Sequence, residues 1–335
     1  MRGRRVIQAR RGHSVTRPPC LAVKADRVKT WLRGLLGLAL LAAVVLLARP
    51  ARVLAELARA DPAWLLAGLL AALAANAVSA LRWRALTRWL GGELGRADAC
   101  RWYFQAIGLN ALLPGAVLGG DVYRALALQR SGSSTRLAGA SVVLDRVSGL
   151  WMLCAIGGWG AAACSSALGP WLHLPARPLA LLLLAGSTLW LALPWALPPL
   201  LRRAPAARWA RWLNPLREAA LRPDYGAQLR LQALASAAVQ ALSAAALAAA
   251  ALALGIVQPL AVWAFASAPI FLMAALPVSV GGWGTREAAA AAALAPFGVI
   301  PAAAVGAGLI YGGYALAQGA LGALAFGLPR GGAGQ

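Results

Sequence analysis

Residues Leu112–Leu126 read LLPGAVLGGDVYRAL. The stretch lies inside apolar sequence, yet it holds a proline, three glycines, an aspartate and an arginine. Proline removes a backbone donor and glycine weakens a helix, so a helix entering from Trp102 should stop here. A near-copy, ALPVSVGGWGTREAA, returns at Ala275–Ala289. In the first copy Leu113-Pro114 precedes Gly119-Gly120 and then Arg124. In the second, Leu276-Pro277 precedes Gly281-Gly282 and then Arg286. The interval from the first glycine to the arginine is the same in both. Chance is the competing reading, because glycine and alanine are abundant; the matched arginine weighs against it.

The composition places both stretches in a bilayer. The chain has 335 residues, 61% of them hydrophobic, and a mean hydropathy of +0.67. A soluble domain is roughly half apolar and lacks apolar runs about twenty residues long, the length that spans hydrocarbon. The formal net charge is +22. In a soluble chain that would point to nucleic acid. Here the arginines flank apolar runs, where positive-inside bias and anionic lipid account for them, and no nucleic-acid partner is expected. The tryptophans of RWRALTRWL (82–90) and RWARWLNPLR (208–217) read as interfacial belts. Cys20, Cys100, Cys154 and Cys164 form no CxxC pair, and His13 and His173 lie far apart. No metal site is expected, and no cofactor.

The expected spans are Leu35–Ala48, Pro62–Leu81, Trp102–Leu118, Leu137–Ala162, Leu179–Leu201, Leu231–Leu254, Leu260–Val280, Ala288–Val299 and Ala302–Phe326. The N-terminal flank, Arg82–Arg101, Arg124–Arg136 and Arg202–Arg230 are basic and read as cytoplasmic, and Ser165–Arg177 as external. Basic segments on both sides of Trp102–Leu118 make it a re-entrant hairpin that turns at Pro114–Gly120. Such a break is tolerated only against protein or a wet cavity. If Leu260–Val299 is also a hairpin, the halves Pro62–Ala162 and Leu231–Phe326 have opposite topologies, an arrangement typical of transporters. The expected fold is an all-α polytopic membrane protein of about six full spans plus two re-entrant hairpins in an inverted repeat; the alternative is about eight or nine ordinary spans. Residues 31–328 form one transmembrane domain, between a basic cytoplasmic tail at 1–30 and a Gly-rich tail at 329–335. Val28-Lys29-Thr30-Trp31 also reads as a natural start, which would make residues 1–27 a gene-calling artefact. The intact mass of the native protein separates that reading from a translated tail.

The chemistry follows from the breaks. A helix starting after Gly120 points free N–H groups and its positive dipole end at the break, with Asp121 placed to cap it and Arg124 one turn on. Thr285 and Arg286 repeat the arrangement. Together these suit an anion at membrane depth, and the planar fork of arginine suits a phosphodiester. An arginine at the bilayer centre costs roughly 2.5–3.5 kcal/mol on insertion scales, so it needs a reason. The bland alternatives are a snorkelling Arg124 or its salt bridge to Asp121, and a local Arg286–Glu287 pair. Asp145 and Arg146 are adjacent in the next span. Asp145 is either a titrating carboxylate or a partner for Arg124, and Arg146 either pairs with Asp121 or meets the ligand. No GxSxG, HExxH or Walker sequence and no DDxxD-like pair occurs, so catalytic residues are not expected.

In order, LPGAVLGGDVYRALALQRSG, SVVLDRVSGL and LPVSVGGWGTREAA resemble the lysylphosphatidylglycerol synthase transmembrane family over roughly residues 30–328. This is the flippase-like domain of the multiple peptide resistance factors and of stand-alone relatives. The resemblance implies a multi-pass protein of the bacterial inner membrane, N-terminus cytoplasmic, that moves a lipid headgroup across the bilayer. The synthase domain of the bifunctional relatives is not seen before Gln335, so aminoacylation is not implied. Carried over by position, the motif residues are Pro114, Gly119, Gly120, Asp121, Arg124, Asp145, Arg146, Pro277, Gly281, Gly282, Arg286 and Glu287. One departure stands out: where the family's LIYR segment has a basic residue, this chain has Gly312.

These readings converge on a lipid translocase rather than an enzyme. Its expected partner is a membrane lipid with an anionic or phosphate-bearing headgroup, held by Arg124, Arg146 and Arg286. The runner-up is a non-transporting accessory subunit that binds a lipid-modifying enzyme of a lipid or glycolipid pathway.

Overall fold

A computed structural model describes residues 50–112, 119–203, 217–276 and 281–327, with residues 39, 42, 43, 46 and 47. Both tails, most of the Leu35–Ala48 span, Pro114 and Pro277 lie outside these residues. The described residues are helical, without strands.

The helices are α1 Pro50–Ala58, α2 Pro62–Trp89, α3 Arg96–Leu112, α4 Gly119–Arg130, α5 Thr135–Ala163 and α6 Ser165–Leu172. They continue with α7 Ala176–Arg203, α8 Tyr225–Leu252, α9 Leu260–Ala275, α10 Thr285–Leu294 and α11 Pro301–Gly327. Local chemistry sets several starts. Asp61 caps α2, accepting from Ala63 N at 2.8 Å with Pro62 in the first turn, and Ser134 caps α5, accepting from Leu137 N at 3.3 Å.

Four of these helices, α2, α5, α7 and α8, are long and apolar enough to cross a membrane, and α11 runs for 27 residues. The second expected break occurs: α9 ends at Ala275 and α10 begins at Thr285, with residues 281–284 in a turn; the first, between Leu112 of α3 and Gly119 of α4, lies outside the described residues.

Several boundaries differ from the sequence reading. Helix α2 runs past Leu81 to Trp89, because no breaker occurs before Gly91, so Arg82 is helical and buried rather than in a basic loop. Helix α7 begins at Ala176, three residues before the expected Leu179, and holds Pro194, Pro198 and Pro199 inside it. Helix α8 starts at Tyr225, inside the stretch read as a basic loop, and α6 occupies half of the expected Ser165–Arg177 loop. Helix α1 was not expected; it buries Val53 against Ala302 and Val305 of α11.

The two glycine pairs serve different physical ends. Gly281, Gly282 and Gly284 have φ of 57°, 77° and 82°, a left-handed backbone that is cheap only for glycine. Gly120 lies within the first turn of α4, and a methyl there would strike Ala106 O and the Asn110 side chain. One pair makes a turn; in the other, Gly120 lets two helices touch.

The packing follows a two-part pattern. Helices α2, α3, α4 and α5 start at 62, 96, 119 and 135, and α8, α9, α10 and α11 at 225, 260, 285 and 301, a nearly constant offset. Helix α2 packs on α8, α3 on α11 and α5 on α9. Exchanging the two quartets maps these contacts onto one another. Small residues make the crossed contacts close. A methyl at Gly160 would strike the backbone of Ala264 and Phe265, and one at Gly322 would strike the backbone of Phe104. Gly157 and Gly160 in α5 match Gly319 and Gly322 in α11 at the same separation as Arg124 and Arg286. Backbones approach this closely in membranes because dispersion, rather than the expulsion of water, holds helices together there.

Candidate functional site

Three helices bring five charged side chains to one place: Arg82 from α2, Asp121 and Arg124 from α4, and Asp145 and Arg146 from α5. Asp145 lies at the centre, 1% exposed. Its Oδ1 accepts from Arg82 Nε at 3.0 Å and Nη2 at 2.9 Å, and its Oδ2 from Arg124 Nη1 at 2.9 Å. Asp121 bridges outward, accepting from Arg124 Nη2 at 2.8 Å and Arg146 Nε at 2.6 Å. The order Arg82, Asp145, Arg124, Asp121, Arg146 alternates in sign, so every ion has an opposite neighbour.

Burial makes those partners necessary, because an isolated charge in low dielectric is far costlier than a paired one. Further Arg82 donors are used as well. Arg82 Nη1 donates to Ser236 Oγ at 2.9 Å and Nη2 to Asp145 O at 3.0 Å. The Arg124 guanidinium lies 4.6 Å from the Tyr103 ring centroid and 5.1 Å from that of Trp83, within cation–π range.

A cavity of about 360 Å³ adjoins the chain of charges, and all five residues line it. Asn76, Gln240, Ser243, Phe271 and Tyr311 line other parts, so helices of both quartets contribute. Arg82 and Arg124 side chains are each 4% exposed, whereas that of Arg146 is 38% exposed. The arginine that offers surface to the cavity is therefore Arg146.

The other predicted residues lie elsewhere. Arg286 and Glu287 are absent from this cavity's lining and form a closed pair, with Arg286 Nη2 2.7 Å from Glu287 Oε1 and side-chain exposures of 3% and 0%. Arg286 Nε also donates to Gly308 O at 3.0 Å, and its guanidinium lies 4.7 Å from the Trp283 ring centroid. Glu287 Oε2 accepts from Gly284 N at 2.6 Å and so caps α10, the part expected of Thr285, whose hydroxyl donates to Gly282 O. Asp121, expected as the cap of α4, instead sits two residues into the helix and spends its carboxylate on arginines. Gly120 N donates to Asn110 Oδ1 at 2.8 Å. Gly119, Gly120, Gly281 and Gly282 shape the breaks and do not line the cavity.

Gly312 has a steric reason. A side chain there would collide with the Arg286 guanidinium and the Trp283 ring. The space an arginine at 312 would need is filled by the charge that α10 supplies.

Residues 34–322 match the lysylphosphatidylglycerol synthase TM region. The chain belongs to that family. No curated protein matches it. Membership in the lysylphosphatidylglycerol synthase TM region family, with the apolar helices, makes this a membrane-embedded multi-pass protein with a lipid-related role.

Two members of the charge network, Arg82 and Ser236, and the cavity lining from Asn76, Gln240, Ser243, Phe271 and Tyr311 escaped the sequence reading. Arg82 was placed in an interfacial belt, although the unbroken helical run from Pro62 to Gly91 already carried it inward. Ser236, its partner, lies 154 positions away, and nothing local marks it. Among the described residues no group of three or more His, Cys, Asp or Glu could hold a metal ion.

Proposed function

We propose that this protein is a lipid translocase that takes an anionic, phosphate-bearing headgroup into the cavity between its two quartets of helices. The observation that carries the reading is Arg146, whose side chain is 38% exposed, beside a buried, self-paired network at that cavity. Arg146 touches the headgroup. Arg82, Arg124 and Asp145 hold α2, α4 and α5 in register behind it, and Arg286–Glu287 serves the same structural end in the second quartet. This shifts the contact role from Arg124 and Arg286, whose donors face carboxylates and carbonyls.

The acyl chains stay in lipid. Val143, Val147 and Leu150 form one exposed stripe on α5, and Leu150 also lines the cavity. On α9, exposed Leu272 and Met273 alternate with cavity-lining Phe271, Ala274 and Ala275, and exposed Leu276 follows the helix. A lipid whose headgroup sits by Arg146 can thus leave its chains outside.

The exchangeable packing of the two quartets supports an inverted repeat whose breaks are re-entrant hairpins. Rocking of one quartet on the other would open the cavity to alternate sides. The basic flanks support a cytoplasmic N-terminus, and the same reading puts the protein in the inner membrane. The mechanism needs no covalent step, so the protein acts as a carrier and not as an enzyme.

Liposomes containing only the purified protein and labelled anionic lipids test this. The expected result is translocation that Arg146→Ala reduces by tenfold or more, on the order of one lost charge-assisted hydrogen bond. Wild-type rates no faster than those of protein-free liposomes would refute the carrier reading.

A further inference from the structure

We propose that the Asp121 carboxylate is an internal counter-ion that stands in for the ligand's phosphodiester and gives up Arg146 to it. The proposal rests on the headgroup reading above and names the chemistry that the site selects.

Asp121 bridges two unlike arginines. Its Oδ1 takes Arg124 Nη2 at 2.8 Å and its Oδ2 takes Arg146 Nε at 2.6 Å. The Arg124 side chain is 4% exposed and is held independently by Asp145 and two aromatic rings; that of Arg146 is 38% exposed and faces the cavity. The attachment to Arg124 is therefore anchored, and the attachment to Arg146 can be exchanged. A carboxylate and a phosphodiester each offer two oxygens to a planar guanidinium. An incoming phosphodiester can take Arg146 while Asp121 keeps Arg124, so no buried charge is left alone.

The charge count sets the class of ligand. Among the described residues, the charged ones lining the cavity are Arg82, Arg124, Arg146, Asp121 and Asp145, which together carry one formal positive charge. A phosphodiester carries one negative charge and makes the occupied site neutral. A phosphomonoester carries roughly −1.5 to −2 at pH 7 and makes it negative. In a largely buried site an excess charge is costly, so the site prefers phosphodiesters. The counter-ion also keeps binding weak enough for release, which a carrier requires. The Arg286–Glu287 pair cannot act this way, because it is closed on both sides at 3% and 0% exposure.

The test is binding of two soluble probes to the full-length protein in micelles: glycerophosphoglycerol, a phosphodiester, and glycerol 3-phosphate, a phosphomonoester. Wild type should prefer the diester. Asp121→Asn should bind it about tenfold tighter, the weight of one released hydrogen bond to a charged group. The monoester should gain more, so the preference narrows. Asp121→Ser should behave alike, and Asp121→Glu should stay near wild type. Diester binding that is unchanged or weakened in folded Asp121→Asn and Asp121→Ser overturns the counter-ion role and leaves the headgroup reading standing. Failure of both variants to fold assigns Asp121 to structure and overturns it too. If neither probe binds wild type or variants, the headgroup reading falls with it.

Discussion

Replacing Asp145 by Asn probes the centre of the charge network with almost no change of shape. The carboxylate accepts from Arg82 Nε, Arg82 Nη2 and Arg124 Nη1 at 3.0, 2.9 and 2.9 Å. An asparagine amide turns its oxygen toward one arginine and its NH₂ toward the other, where donor meets donor. The two guanidiniums, each 4% exposed, then share no anion, and Arg124 keeps only Asp121. Removing one partner of a buried ion pair typically costs about 3–5 kcal/mol, and two arginines depend on this carboxylate. The loss should therefore reach at least about 3 kcal/mol. A suitable control is Asp61→Ala, which removes an exposed helix cap worth about 1 kcal/mol. Unfolding in mixed detergent–SDS micelles, followed by tryptophan fluorescence, measures both. A loss for Asp145→Asn no larger than for Asp61→Ala would refute the argument that these charges hold α2, α4 and α5 together.

Three further outcomes are expected. Gly322→Ala should destabilise by about 1–3 kcal/mol, because the new methyl meets the Phe104 backbone and parts α3 from α11; Gly313→Ala, with open space around it, should be neutral in the same unfolding assay. Gly284→Ala should cost about 1–2 kcal/mol, because φ is 82° there, and circular dichroism melts would detect it. Gly312→Arg should be strongly destabilising alone but far less so with Arg286→Gly, since the two side chains compete for one space beside Glu287. A double-mutant cycle showing simple additivity would contradict that competition.

The sequence by itself determined the solvent and the breaks. Apolar runs and flanking arginines specify a membrane helix protein, because backbone groups in hydrocarbon must be satisfied within a segment. Proline and glycine at Leu113–Gly120 and Leu276–Gly284 stop helices by local backbone chemistry alone, and the repeat of that pattern announced two related halves. The pairing of charges was only partly legible. Asp121 and Arg124 are three apart, so helix geometry nearly fixes their pairing; Arg286 and Glu287 are adjacent, and only their place at the start of α10 lets the two side chains meet. Arg82 with Asp145 spans 63 positions and Arg82 with Ser236 spans 154; both depend on which helix faces meet. Tertiary structure also decided which of the cavity's arginines keeps an exposed side chain. Exposure is a property of the assembled bundle: Arg82, Arg124 and Arg146 carry the same group, and only packing buries two of them and leaves Arg146 partly exposed. It likewise separated the two Gly-Gly pairs, one needed for a left-handed turn and the other, at Gly120, for the close approach of α4 to α3.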